Sequence, residues 1–174
     1  MTDSAYELAE HGYSVFPVTR GGTRPLSGRH GYRDATTDPL RIDELFTWPD
    51  LNVGVRTGRD TGLFVLHVHG ARGRESARKL QLPPTLAVRT PIGFHLYFEL
   101  PGEAGCPSGR GLLPGVDAHC NDSFVLAPGS ITLAGTYVVA RQLPIALVPS
   151  DLLRMAQDAG GRPRWLRRLS GKWS

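Results

Sequence analysis

The chain is 174 residues long, with 20 basic and 16 acidic side chains, a formal net charge of +4 and a pI near 9.4. Hydrophobic residues make up 40%, enough for a real core, while 21 glycines and 14 prolines argue against a helical bundle and for many short elements joined by turns. Two cysteines, Cys106 and Cys120, are too few for a disulfide framework, and the sequence has no apolar run of membrane-spanning length, so a reduced, cytoplasmic setting without membrane contact is expected.

In chain order, Ser4-Ala5-Tyr6-Glu7 reads as a capping box that opens a first helix, closed by Gly12. A strand is expected over 13–18, followed by a basic, glycine-rich loop over 20–33. Asp38-Pro39 places an N-cap before a proline at the first helical position, which starts a second helix running to about Phe46. Strands are expected over 52–56 and 63–68, a third helix over 75–80 ended by Pro83-Pro84, and further strands over 85–89 and 95–100. A loop over 101–114 follows, then short strands at 116–117, 124–127 and 137–140. Ser150 is placed to cap a last helix over 151–158. Residues 162–174 form a basic tail with Trp165 and Trp173, a pattern that suits a solvated terminus and also a grip on single-stranded nucleic acid. Helix and strand in this order predict an α+β domain over 1–150, with a C-terminal helix and basic tail over 151–174.

The segment Gly62-Leu63-Phe64-Val65-Leu66-His67-Val68-His69-Gly70 carries the most chemistry. It reads as a buried strand ending in His-Val-His, and alternation along a strand turns His67 and His69 to one side and Val68 to the other. Two imidazoles at that spacing are half of a metal site. The basic side chains are almost all arginine (Lys79 and Lys172 are the lysines), and the planar arginine fork suits phosphate.

An ordered set of motifs then points to a family. Gly31-Tyr32-Arg33-Asp34-Ala35-Thr36-Thr37-Asp38-Pro39 precedes Trp48-Pro49-Asp50-Leu51-Asn52-Val53-Gly54-Val55-Arg56-Thr57-Gly58. These are followed by Thr61-Gly62-Leu63-Phe64-Val65-Leu66, Leu86-Ala87-Val88-Arg89-Thr90, His95-Leu96-Tyr97-Phe98, Gly115-Val116-Asp117 and Phe124-Val125-Leu126-Ala127-Pro128-Gly129-Ser130. In this order and spacing the chain resembles the bifunctional primase-polymerase domain of the archaeo-eukaryotic primase superfamily, over about residues 5–140. The resemblance implies a mixed β-sheet flanked by helices, DNA and nucleoside triphosphates as partners, and template-dependent nucleotidyl transfer. It also implies a helicase or other replication protein as a further partner. Members often continue into a helicase, and no Gly-x-x-x-x-Gly-Lys-Ser/Thr loop occurs here, so a stand-alone domain and a piece of a longer protein both fit.

Carried over by position, the family's metal-binding Asp-x-Asp pair falls on His67 and His69, its third acid on Asp117, and its nucleotide-binding histidine on His95. The loop with Arg24, Arg29 and His30 would face phosphates. Where the family carries Ser-Gly-Gly-x-His, a small-residue turn that lets backbone approach phosphate, this chain has Pro91-Ile92-Gly93-Phe94-His95. Mg²⁺ prefers hard oxygen ligands, whereas imidazole suits Mn²⁺ or Zn²⁺ better. Three readings follow: nucleotidyl transfer with an altered metal held by His67, His69 and Asp117; a catalytically degenerate module that binds nucleotide and nucleic acid; and a transition-metal phosphoesterase on the same fold. His119, Cys120 and Asp122 lie close enough in sequence to supplement Asp117.

Overall fold

The computed structural model describes residues 2–26 and 29–160. The expected basic tail over 162–174 lies outside them. The elements run α1 (Thr2–Glu10), β1 (Val15–Val18), α2 (Pro39–Leu45), β2 (Asn52–Thr57), β3 (Leu63–His69), α3 (Gly70–Arg78), β4 (Ala87–Thr90), β5 (Gly93–Glu99), β6 (Gly109–Leu113), β7 (Val116–His119), β8 (Ser123–Leu126), β9 (Ile131–Thr132), β10 (Gly135–Thr136), β11 (Val138–Arg141), β12 (Ala146–Leu147) and α4 (Ser150–Gly160). Gly31–Asp34 and Arg59–Thr61 are short 3₁₀ turns. A seven-stranded sheet has the order β11-β4-β5-β3-β7-β6, with β12 alongside β5, and a three-stranded sheet has the order β1-β2-β8. The β12–β5 pair is parallel among otherwise antiparallel neighbours, so the large sheet is mixed, in an α+β fold as the sequence implied. Among the described residues no helix is long and apolar enough to cross a membrane.

Alternation along β3 explains how the sheet is packed. Phe64, Leu66 and Val68 enter one core with Phe98, Val116 and Ala118, and Leu152 and Ala156 of α4 pack there too. Leu63 and Val65 enter a second core, where Val88 and Tyr97 of the large sheet meet Val15, Phe16, Val53, Val55 and Val125 of the small one. Ala5 of α1 and Ile42 and Leu45 of α2 close that core from outside. The second core stops at Val65. Two and four residues further along the same face stand His67 and His69, outside that apolar cluster.

Tight backbone contacts hold that end of β3 in place. The His69 amide donates to the Gly115 carbonyl at 2.8 Å and the Gly70 amide to the Ile92 carbonyl at 2.9 Å. Gly70 has φ +52 and turns the chain directly from strand into α3. Gly73, one turn into α3, packs so closely on Gly115 that a methyl group would overlap the Gly115 carbonyl oxygen.

Several boundaries differ from the sequence reading, each for a local reason. Asp38 caps α2 as expected, its side chain accepting from the Leu40 amide at 3.0 Å. Ser4 lies inside α1, which starts at Thr2, so it is not the cap. The third helix starts at Gly70 rather than Glu75, because the left-handed glycine needs no linker. The expected loop over 101–114 contains β6, a half-exposed strand whose ladder to β7 is interrupted by a register shift.

Candidate functional site

The strand register assembles the site. His67 of β3 pairs directly with His95 of β5 on one side and with Asp117 of β7 on the other, and Val65 pairs with His119. Residues opposite one another in an antiparallel ladder share a face, so His67, His69, His95, Asp117 and His119 all project to the same side. The His67 ring lies 3.9 Å from that of His69, 4.4 Å from that of His95 and 6.1 Å from that of His119, centroid to centroid. His67, His69, Asp117 and His119 open into a cleft of 630 Å³ whose walls include Thr23, Ile92, Ser108, Arg110, Ser123 and Tyr137.

His95 is buried against His67 rather than lining the cleft. It is 3% exposed, its ring stands 5.7 Å from that of Tyr137, and its Nδ1 is buried without a hydrogen-bond partner among the described residues. Above it, His67 Nε2 lies 3.4 Å from Thr90 Oγ1, and His119 Nδ1 lies 3.0 Å from Ser123 Oγ. Asp117 is engaged at both oxygens. Oδ2 accepts from His69 Nε2 at 2.9 Å, and Oδ1 accepts from the Gly111 amide at 2.7 Å.

Burial dominates the titration of His67, His95 and His119. It pushes His67 down to about 3, helped by repulsion from His69 and His119 and opposed by Asp117. Burial, then the neighbouring imidazole of His67, holds His95 well below the usual histidine range, and burial also lowers His119. A histidine whose folded value is depressed binds fewer protons folded than unfolded. Its contribution to stability is therefore complete above 6.5 and is lost as pH falls from 6.5 toward the folded value, which for His67 is about 3. Urea unfolding is expected to show a loss of about 2 kcal/mol by about pH 5 for each histidine that stays neutral. His67→Asn should reduce the slope by about 1.4 kcal/mol per pH unit. A stability profile flat from neutral to about pH 5 would mean that these rings are protonated in the fold.

The sequence-derived residues separate into two groups. His67, His69 and Asp117 line the cleft and His95 lies beneath them. Arg24, Arg29 and His30 do not line it; among the described residues of their loop only Thr23 reaches the wall. Arg29 Nη2 approaches the Glu44 carbonyl of α2 at 3.5 Å, and His30 pairs with Asp34 at 3.2 Å. Of the proposed supplements, His119 joins the cluster. Cys120 turns into the opposite core, where its Sγ accepts from the Cys106 amide at 3.0 Å, and the side-chain hydrogen bond between the two thiols, with burial second, raises the Cys106 thiol. Asp122 lies in a separate hollow with Arg56 and Arg59. Arg110, Ser108, Ser123 and Tyr137 were missed from sequence; Arg110 reaches the rim on β6, which pairs with β7, the strand of Asp117.

Asn52, within the Trp-Pro-Asp-Leu-Asn motif, is a positioning residue. It is 2% exposed and its amide donates to the carbonyls of Thr19, Gly22 and Ile131 at 3.4, 3.0 and 2.7 Å, while its Oδ1 accepts from the Ile131 amide at 2.8 Å. It clips the loop bearing Thr23 to β9 and so fixes one wall of the cleft. Gly93 is packed tightly against β3. A methyl group there would overlap the Val68 carbonyl oxygen and sit 3.1 Å from the His69 Cα. The close approach this glycine permits is to β3.

With this arrangement in view, a family comparison gives the class. The family model described as bifunctional DNA primase/polymerase, N-terminal, matches residues 5–151. The chain therefore belongs to that primase-polymerase family. No curated protein matches the chain.

The family's chemistry implies a pair of divalent ions held by acidic side chains. The donor set here does not fit them. The cleft is lined by one carboxylate, Asp117, with both oxygens already hydrogen-bonded, and the positions beside it are imidazoles. Among the described residues no group of three or more His, Cys, Asp or Glu side chains is arranged to hold a metal ion. His67, His69 and Asp117, expected as a ligand set, meet through a ring contact and a hydrogen bond.

Proposed function

We propose that this primase-polymerase domain binds nucleoside triphosphate and nucleic acid and does not carry out Mg²⁺-dependent nucleotidyl transfer. The observation that supports the reading is the β3 register, which sets His67 between His95 and Asp117 and leaves the cleft a single carboxylate. Phosphoryl transfer needs the charge on the transferring group neutralised by well-placed cations. Neutral imidazoles and an arginine hold phosphate by hydrogen bonds and charge, but they do not bridge the attacking and leaving oxygens. Arg110 at the rim supplies the charge, and the imidazoles and the Ser108 and Ser123 hydroxyls supply polar contacts. DNA and nucleoside triphosphates are the proposed ligands. A helicase or other replication protein is the proposed partner, in a cytoplasmic replication or mobile-element setting.

The test is titration of dATP onto the full chain in EDTA and in Mg²⁺, beside primer extension on a DNA template. Affinity in EDTA is expected to stay within about threefold of that in Mg²⁺, Arg110→Ala to weaken it about tenfold, and extension to be absent. Mg²⁺-dependent extension by the native chain, lost in Asp117→Ala, would overturn the reading. The second reading, a transition-metal phosphoesterase, draws on the four imidazoles of one face. It requires Zn²⁺ or Mn²⁺ to bind without nucleotide, which calorimetric titration with either ion alone decides.

A further inference from the structure

We infer that the opposite face of the large sheet is a docking site for an acidic peptide segment that carries an apolar anchor residue. A trough of 470 Å³ runs between α3 and the strands at the β4–β11 end of the sheet. Helices α3 and α4 cover the middle of this face, and the sheet extends two strands, β4 and β11, past β5. The floor is formed by Leu82, Phe94 and Leu96, all partly exposed apolar side chains beside the buried Val68. Uncovered apolar surface of this kind, framed by charge, marks a contact surface.

The frame has one sign. Arg74 and Arg78, one turn apart on α3, line one wall, and Arg141 of β11 lines the other. Arg89 of β4 pairs with Phe94 in the ladder and therefore shares its face. All four arginines are exposed, and none forms an ion pair among the described residues. Ser27, Gly28 and residues 161–174 contain no Asp or Glu, so the chain has no acidic side chain there to offer them. The same C-terminal stretch, with Arg162, Arg164, Arg167, Arg168 and Lys172, has the wrong sign to occupy the trough itself.

Charge complementarity therefore calls for an acidic occupant, and the floor selects its kind. Single-stranded nucleic acid is gripped by stacking bases on a row of aromatic rings. Here Phe94 is the one aromatic ring in a floor otherwise of leucine, valine and alanine, which fits an aliphatic or aromatic side chain inserted from a peptide. The site is separate from the histidine cleft, since Val68, Phe94 and Leu96 point away from His67, His69 and His95.

The test is selection of a displayed library of random peptides on the full chain, with Arg78→Glu/Arg141→Glu as the counter-target. Fluorescence anisotropy of the consensus peptide and of labelled oligo(dT) then gives affinities. Both substituted side chains are exposed, and thermal melting together with unchanged dATP binding verifies that the variant is folded. Enriched peptides are expected to combine Asp or Glu with at least one Leu, Ile or Phe. The double variant should bind the consensus at least about 100-fold more weakly, replacement of the apolar residue by Ser should cost about tenfold, and oligo(dT) affinity should be unchanged. The proposal is overturned by enrichment without acidic residues, by consensus binding that survives in the double variant, or by equal binding of the Ser-substituted peptide. Loss of oligo(dT) binding in the double variant would overturn it in favour of a nucleic-acid surface.

Discussion

The His67→Asp/His69→Asp variant is expected to bind Mg²⁺ and to extend a primed DNA template at least about 100-fold above the native chain. The backbone already provides the geometry. Positions 67 and 69 share a face of β3, and position 67 sits opposite Asp117 across the β3–β7 ladder, so aspartates there would stand with Asp117 around one opening. Three carboxylates at such spacing repel one another until a cation neutralises them. The variant should therefore melt below the native chain in EDTA and recover in Mg²⁺ by mass action, whereas the native Tm should not respond to Mg²⁺. Adding Asp117→Asn should remove both the recovery and the extension. A folded double variant whose Tm is indifferent to Mg²⁺ would show that the β3 register does not form a carboxylate site. Mg²⁺ binding without extension would place the remaining defect in the Pro91-Ile92 turn, where the family's small residues are missing.

Gly93→Ala should destabilise the chain by about 3 kcal/mol, lowering Tm by about 6–12 °C for a protein of this size. The added methyl meets backbone, the Val68 carbonyl and the His69 Cα, and no flexible side chain is present to yield. The collision falls at the last pair of the β3–β5 ladder, so the His69 end of β3 must move away from β5 and strain the His69–Asp117 contact. Ile92→Ala, one residue earlier on an exposed turn, should stay within about 0.5 kcal/mol. Equal melting temperatures for Gly93→Ala and the native chain would show that the ladder has more slack at this pair than its geometry implies.

Much of this site was legible before the fold because β3 reads cleanly. Its alternation separates Phe64, Leu66 and Val68 from Val65, His67 and His69, and the ordered motifs set His95 and Asp117 against it. What escaped the sequence has physical causes. Strand β6 is glycine-rich, half-exposed and irregularly paired, so it carries neither periodicity nor propensity, and Arg110 went unnoticed with it. The basic loop was placed against phosphates by its charge and by the resemblance. Charge does not reveal that Arg29 turns back to α2 or that His30 finds Asp34. The sequence assigned Gly93 no role, because the backbone it packs against belongs to β3, a strand far away in sequence. Cys106 and Cys120 follow no recognised spacing, and only the return of β7 beside the loop before β6 brings the two thiols together.

The Asn52 clip has a consequence for the order in which the chain acquires its shape. Three of its four hydrogen bonds reach carbonyls on either side, at Thr19 and Gly22 before it and at Ile131 long after it. The pairing of β3 with β7 has the same long-range character. During synthesis from the N-terminus, the Thr23 loop has no β9 to be clipped to until Ile131 has emerged, by which point β1 to β8 are already available to pair. Contacts of such sequence separation form late and slowly. The cleft wall is therefore among the last parts of the nascent chain to be completed, and a ribosome-stalled chain ending before Ile131 would carry the histidine cluster with one side open.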